Sequence, residues 1–223
     1  MSGGVSNLGP VLLAFDTATP NVTVALHDGD DVVAERRSEQ RMKHGEQLAP
    51  LIEAVMADAG IVRQDLTAIA VGVGPGPFTG LRVGLVTART LAFVLEIPVY
   101  GVCSLDVIAV EAAPTLGTDF VVATDARRKE VYLASYDERG RRLDGPDVLR
   151  PADAATDLPV AGEGAELYPD AFPDRRDPVL PSAGWLGRCV AEELAELHDP
   201  EPLYLRRPDA VAPGVPKLSL IHI

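Results

Sequence analysis

The residues Val11-Leu-Leu-Ala-Phe15 are apolar without interruption, and the run stops at Asp16. Such a run predicts a strand buried on both faces. After a turn at Thr19-Pro20-Asn21, Val22, Val24 and Leu26 alternate with Thr23, Ala25 and His27, the period-two pattern of a second strand. Asp28-Gly29 predicts a hairpin turn, and a third strand begins at Val32-Val33-Ala34. From His44 to Ala59 the period changes: Leu48, Leu51, Ile52, Val55, Met56 and Ala59 fall on one helical face. Leu66–Val73 predicts a buried strand, Thr79–Leu95 a second helix, Pro98–Gly101 a short strand and Leu105–Ala113 a third helix.

The opening pattern then returns. Phe120-Val-Val-Ala-Thr124 ends at Asp125, as the first run ends at Asp16. Val131 and Leu133 stand six and eight residues past Asp125, as Val22 and Val24 do past Asp16, and Asp137 and Asp28 both stand twelve past. An acid at each strand end, in register, favours a duplication over two unrelated meanders. Gly145–Pro181 is rich in Pro, Asp and Gly, and predicts irregular chain with a short strand near Val160, before a helix from Ala183 to Leu197. The order predicts an α/β protein of two duplicated halves, each a mixed sheet flanked by helices. The expected division is a tail over 1–10, a first half over 11–103, a second half over 104–209 and a tail over 210–223.

Composition narrows the function classes. Hydrophobic residues make up 47% of the 223, enough for a sizeable core. The net charge of −13 repels a nucleic-acid backbone on average, so RNA is expected to be met only indirectly. Three short basic clusters, Arg36, Arg37, Arg41 and Lys43, then Arg127, Arg128 and Lys129, then Arg139, Arg141 and Arg142, read as solvated loops and strand edges. Cys103 and Cys189 are distant and form no CxxC. Met1–Pro10 has no basic or apolar signal pattern, and no apolar stretch reaches about 18 residues. A reduced, cytoplasmic protein without a membrane role is expected.

Gly72-Val-Gly-Pro-Gly-Pro-Phe-Thr-Gly80 leads from a strand into the second helix. Gly74, Gly76 and Gly80 could leave backbone N–H groups open to an anion, with Thr79 capping the helix, or could simply make a tight turn. There is no Gly-Lys-Ser/Thr, so it is not a P-loop. Within the helix, Gly80, Gly84, Ala88 and Ala92 form a ridge of small residues, and small ridges let another helix approach closely. With Leu81 beside them, and Leu48, Leu51, Ile52 and Val55 on the first helix, they are candidates either for a helix–helix interface with a partner or a second copy, or for internal core.

Several segments together resemble the TsaB family, within the actin-like ATPase superfold of ribonuclease H-like halves. They are Leu12-Leu-Ala-Phe-Asp-Thr-Ala-Thr19, His44-Gly-Glu-Gln-Leu48, Gly72-Val-Gly-Pro-Gly-Pro-Phe-Thr-Gly-Leu-Arg-Val-Gly84 and Pro202-Leu-Tyr-Leu-Arg-Arg207. The resemblance implies a non-catalytic scaffold or activator. It would bind a TsaD-type catalytic subunit, and a TsaE-type ATPase in the full complex, for threonylcarbamoyladenosine formation on ANN-decoding tRNAs. It also implies a homodimer when the chain is alone.

Active members of the superfold follow each strand-end Asp with a Gly-rich phosphate loop. Here the loops are Thr17-Ala-Thr-Pro-Asn21 and Ala126-Arg-Arg-Lys-Glu130, neither with a glycine. Asp16 and Thr17, with Gly74, Gly76, Thr79 and Gly80, are thus at most residual nucleotide contacts, and no catalytic residue is expected. The TsaD-type partner carries HxxxH on the equivalent helix; here Leu48 stands four residues after His44, so no metal is expected. ATP and metal would belong to the partner. The rival readings are an active ATP-dependent phosphotransferase, which needs the missing loops, and a peptidase, for which there is no GxSxG.

Overall fold

The computed structural model describes residues 9–39 and 43–205. Arg41, Arg206, Arg207, the expected C-terminal tail and all but the last two residues of the N-terminal one lie outside the described residues.

Strands β1 (Leu12–Asp16), β2 (Thr23–His27) and β3 (Val32–Arg37) form an antiparallel meander. Beyond it come α1 (His44–Ala59), β4 (Ala68–Gly74), α2 (Phe78–Leu95) and β5 (Val99–Cys103), with β4 parallel to both β1 and β5. α3 (Ser104–Leu116) leads to a second meander of β6 (Phe120–Asp125), β7 (Val131–Tyr136) and β8 (Arg142–Leu149). There follow β9 (Val160–Ala161), α4 (Glu163–Leu167), β10 (Arg175–Arg176), α5 (Ala183–Ala191) and β11 (Leu197–His198). The first sheet runs β11-β5-β4-β1-β2-β3 and the second β10-β9-β6-β7-β8. Read from each meander, order and directions coincide, with β9 parallel to β6 and β10 parallel to β9, so the duplication read from Asp16 and Asp125 holds in the fold.

The β1 residues alternate between two cores. Leu13 and Phe15 face α1 and α2, with Leu48, Val55, Leu81 and Leu85. Leu12 and Ala14 face the other side, with Val107, Val110 and Leu186. Burial on both faces is why β1 shows no polar alternation. α3 lies between the sheets: Val107 and Val110 serve the first, Ile108, Ala109 and Ala112 the second.

Two expectations need correcting. The last predicted helix stops at Ala191, because Glu193 turns into the left-handed region (φ 52°), and Leu197–His198 instead pairs antiparallel with β5. The stretch expected to be irregular holds the end of β8, the short strand at Val160, α4 and β10. The segment after Ser182 therefore returns to the first sheet, so the halves interleave in sequence and do not simply follow one another.

Candidate functional site

In this topology, chemistry would be looked for at the C-terminal ends of β1 and β4. Asp16 is 1% exposed. Its Oδ1 accepts the Ala18 N–H at 2.6 Å and its Oδ2 the Ser104 hydroxyl at 2.6 Å. Burial holds its pKa above the ordinary carboxylate value, while the bonds from Ser104 and Ala18 and nearby His44 pull the other way. The next residue, Thr17, donates its hydroxyl to the Gly80 carbonyl at 2.8 Å. His44, at the start of α1, has its Nε2 2.7 Å from the Thr19 carbonyl, so this nitrogen is the donor. The loop after β1 is thus tied to both helices.

The glycines explain how closely. A Cβ on Gly72 would meet the Asp16 carboxylate, one on Gly76 the Ala18 carbonyl, and one on Gly84 the Thr17 hydroxyl. On Gly80 it would lie 2.6 Å from the Thr17 carbonyl. Of the two readings of the Gly/Pro run, the structure has the tight turn: its glycines admit the protein's own loop where a phosphate would need space. Gly74 serves the turn itself, at φ +94°. Thr79 is not the cap. Pro77 takes that position with no side-chain bond, and Thr79 is exposed in the first turn of α2.

Across the cleft, Asp125 repeats Asp16: its Oδ1 accepts the Arg127 N–H at 2.8 Å, and its Oδ2 is 3.1 Å from the Arg127 guanidinium. Ala18, Thr19, Pro20, Pro77, Thr124, Asp125, Arg127 and Glu163 enclose only about 10 Å³ there, barely the space for one water. A space of that size does not hold a phosphate group. Among the described residues, no three His, Cys, Asp or Glu side chains are grouped to hold a metal.

The expected interface residues are mostly inside the chain. Leu48, Ile52, Val55, Gly80, Leu81, Gly84, Ala88 and Ala92 are buried, and Leu51 is half-buried. The small ridge on α2 faces the Thr17 loop and the first core, so the contact it makes is internal. The opposite face of α2 carries exposed apolar residues as well, set among exposed Arg82 and Thr90. Val86, Phe93 and Val94 are 61%, 84% and 68% exposed, with half-buried Val83 one turn before them and exposed Thr90 between Val86 and Val94. An open groove of about 600 Å³ runs beside it, lined by Ala49, Met56, Ala57, Val62, Thr87 and Leu91. The signal was present as a helix apolar nearly all round. Among the described residues α2 alone has the length and hydropathy to cross a membrane, but its inner face packs on the first sheet.

A family model described as TsaD, tRNA N6-adenosine threonylcarbamoyltransferase, matches residues 31–167. An uncharacterized protein of Mycobacterium tuberculosis is 45% identical over 208 residues, 89% of this chain and 93% of its own length. The tRNA threonylcarbamoyladenosine biosynthesis protein TsaB of Escherichia coli is 32% identical over 218 residues, 87% of this chain and 94% of its own. A solved Pseudomonas aeruginosa structure, described as similar to peptidase YeaZ, superposes with a TM-score of 0.74 at 31% identity. That match covers 88% of this chain and all of the other.

Proposed function

The chain belongs to the TsaB family, and from that premise we propose that it serves tRNA threonylcarbamoyladenosine biosynthesis as a non-catalytic subunit docking a TsaD-type catalytic subunit. The observation that carries this reading is the outward face of α2, where Val86, Phe93 and Val94 stand in solvent beside an open apolar groove. Large apolar side chains exposed together on one helix face mark an interaction surface. With α1 it offers two helices to two helices, which also suits a second copy when the partner is absent.

The non-catalytic half of the reading is supported by the loop after β1. Both Asp16 oxygens accept internal bonds, Gly72 lies against the acid itself, and Gly76, Gly80 and Gly84 lie against the loop, all of which argues against a phosphate or metal beside the acid. ATP and a metal would then belong to the partner, with a TsaE-type ATPase joining the assembly. A phosphotransferase would need the space that Thr17–Thr19 fills. No observation favours a peptidase.

Co-expression with the TsaD-type subunit of the same genome tests the reading. The two should co-purify, Val86→Asp with Val94→Asp should abolish that while leaving a folded chain, and the isolated chain should not turn over ATP. Co-purification unaffected by the double variant, or ATP turnover of about 1 per second or faster, would overturn it.

A further inference from the structure

The turn between β6 and β7 occupies the same place in the second sheet as the loop after β1 does in the first, one residue shorter, and the proposed function leaves it unused. Arg127, Arg128 and Lys129 have φ of 61°, 56° and 61°. Three successive non-glycine residues in the left-handed region are uncommon, because each brings its Cβ against the following carbonyl. The backbone is held by the Ala126 N–H to Glu130 carbonyl bond at 3.0 Å and the Glu130 N–H to Arg127 carbonyl bond at 3.0 Å. The Asp125 carboxylate anchors Arg127 from below. Glycine or asparagine would make this turn without strain. The chain instead places three cations there, all exposed, in a protein of net charge −13. Strain kept where a simpler residue would relieve it points to a use for the side chains.

We propose that the Arg127-Arg128-Lys129 turn contacts the phosphate backbone of the RNA acted on by the assembly, so that this chain touches RNA directly at one local patch. The inference rests on the docking reading and narrows the expectation that RNA is met only through a partner. An acidic protein surface is the other polyanion to weigh. Protein interfaces bury an apolar core and are depleted in Lys, whereas the three successive residues at this tip are all charged and exposed. A protruding basic tip of that kind suits phosphates, which position an RNA without reading its bases. The chain's net charge of −13 repels RNA on average, so the contact would act only once the partner has brought the RNA close.

Two variants of the full chain, assembled with the catalytic subunit, test this: R128E/K129E, and R128G/K129G, which removes the charges and relieves the strain. Transfer RNA affinity is measured against salt, assembly by co-purification, and folding by the thermal midpoint of the isolated chain. Both variants should assemble. Each should bind RNA at least several-fold more weakly at low salt, with a salt slope shallower by about 2, and the glycine variant should melt no lower than the unmodified chain. Unchanged RNA affinity in intact assemblies overturns the inference and leaves the docking reading standing. Assembly lost in either folded variant means that the turn meets protein, and also overturns it. If the unmodified chain assembles with no such subunit, the docking reading fails and this one fails with it.

Discussion

Ser104, the first residue of α3, donates its hydroxyl to the Oδ2 of Asp16, the last residue of β1, at 2.6 Å. The acid at the end of the first strand is therefore held by the helix that lies between the two sheets. Its counterpart Asp125 makes the same local bond, Oδ1 to the N–H two residues on, but has no hydroxyl from a facing helix among its described bonds. Both halves keep the acid and its local bond, and in the first half the acid also joins the two halves.

Ser104→Ala should therefore act on stability. It leaves a buried carboxylate oxygen short of a donor, a loss of about 1–3 kcal/mol. Denaturant titration should show a lower midpoint at unchanged slope. A variant as stable as the parent would mean that Asp16 finds another donor and that this bond does not tie the halves together.

The two faces of α2 should respond oppositely. Ala88 is fully buried, so Ala88→Trp should destabilise the isolated chain by about 1–3 kcal/mol or more through overpacking. Val86→Asp, on the exposed face, should shift stability by no more than about 0.5 kcal/mol yet weaken co-purification with the catalytic subunit. One melting curve and one pull-down for each variant decide. A folded Ala88→Trp chain that loses its partner would restore the small ridge as the interface.

How much of this was legible in the sequence follows from what each residue faces. The β1 run and its repeat at β6 were readable because burial on both sides leaves each run apolar up to its closing acid, but for Thr124 in β6. That neither loop after Asp16 and Asp125 carries a glycine was readable directly. The inward direction of Gly80, Gly84, Ala88 and Ala92 was not, because a small residue marks close approach without saying to what. Here the neighbour is Thr17, distant in sequence, and the helix is apolar on both faces, so periodicity could not choose between them. β11 was missed because two residues carry no period, and its pairing to β5 is a tertiary fact.

Gly84 and Thr17 should be energetically coupled. A Cβ on Gly84 would meet the Thr17 hydroxyl, while the other Thr17 side-chain atoms would lie at 3.5 Å, ordinary contact. Gly84→Ala alone should destabilise, and much of that loss should disappear in a Thr17→Ala background. The coupling should fall within about 0.5–3 kcal/mol, read from urea unfolding of the four proteins. Simple additivity would show that the loop does not sit on α2 in solution.

Glu111 on α3 should set part of the pH dependence of folding. It is half-buried, and its Oε2 is enclosed without a hydrogen-bond partner among the described residues. Burial first, then Glu35 and Asp177 against the opposing Arg37, push its pKa from the ordinary 4.5 up to about 7. At a pH below the ordinary value the carboxyl is protonated folded or unfolded, and contributes no difference. Between the two values the folded chain holds a proton that the unfolded chain has lost, so stability falls as pH rises. Above the folded value both states are ionised and the whole penalty is felt. Glu111→Gln cannot ionise and should escape it. The variant's advantage should be small at pH 5 and grow to a plateau near pH 8. That plateau should reach about 1–2 kcal/mol once the shift is discounted for partial exposure. Other groups titrate alike in both proteins and cancel in the difference, so urea midpoints at several pH values isolate this one carboxyl. Parallel curves for parent and variant would mean that water reaches Oε2 and that Glu111 ionises at its ordinary pH.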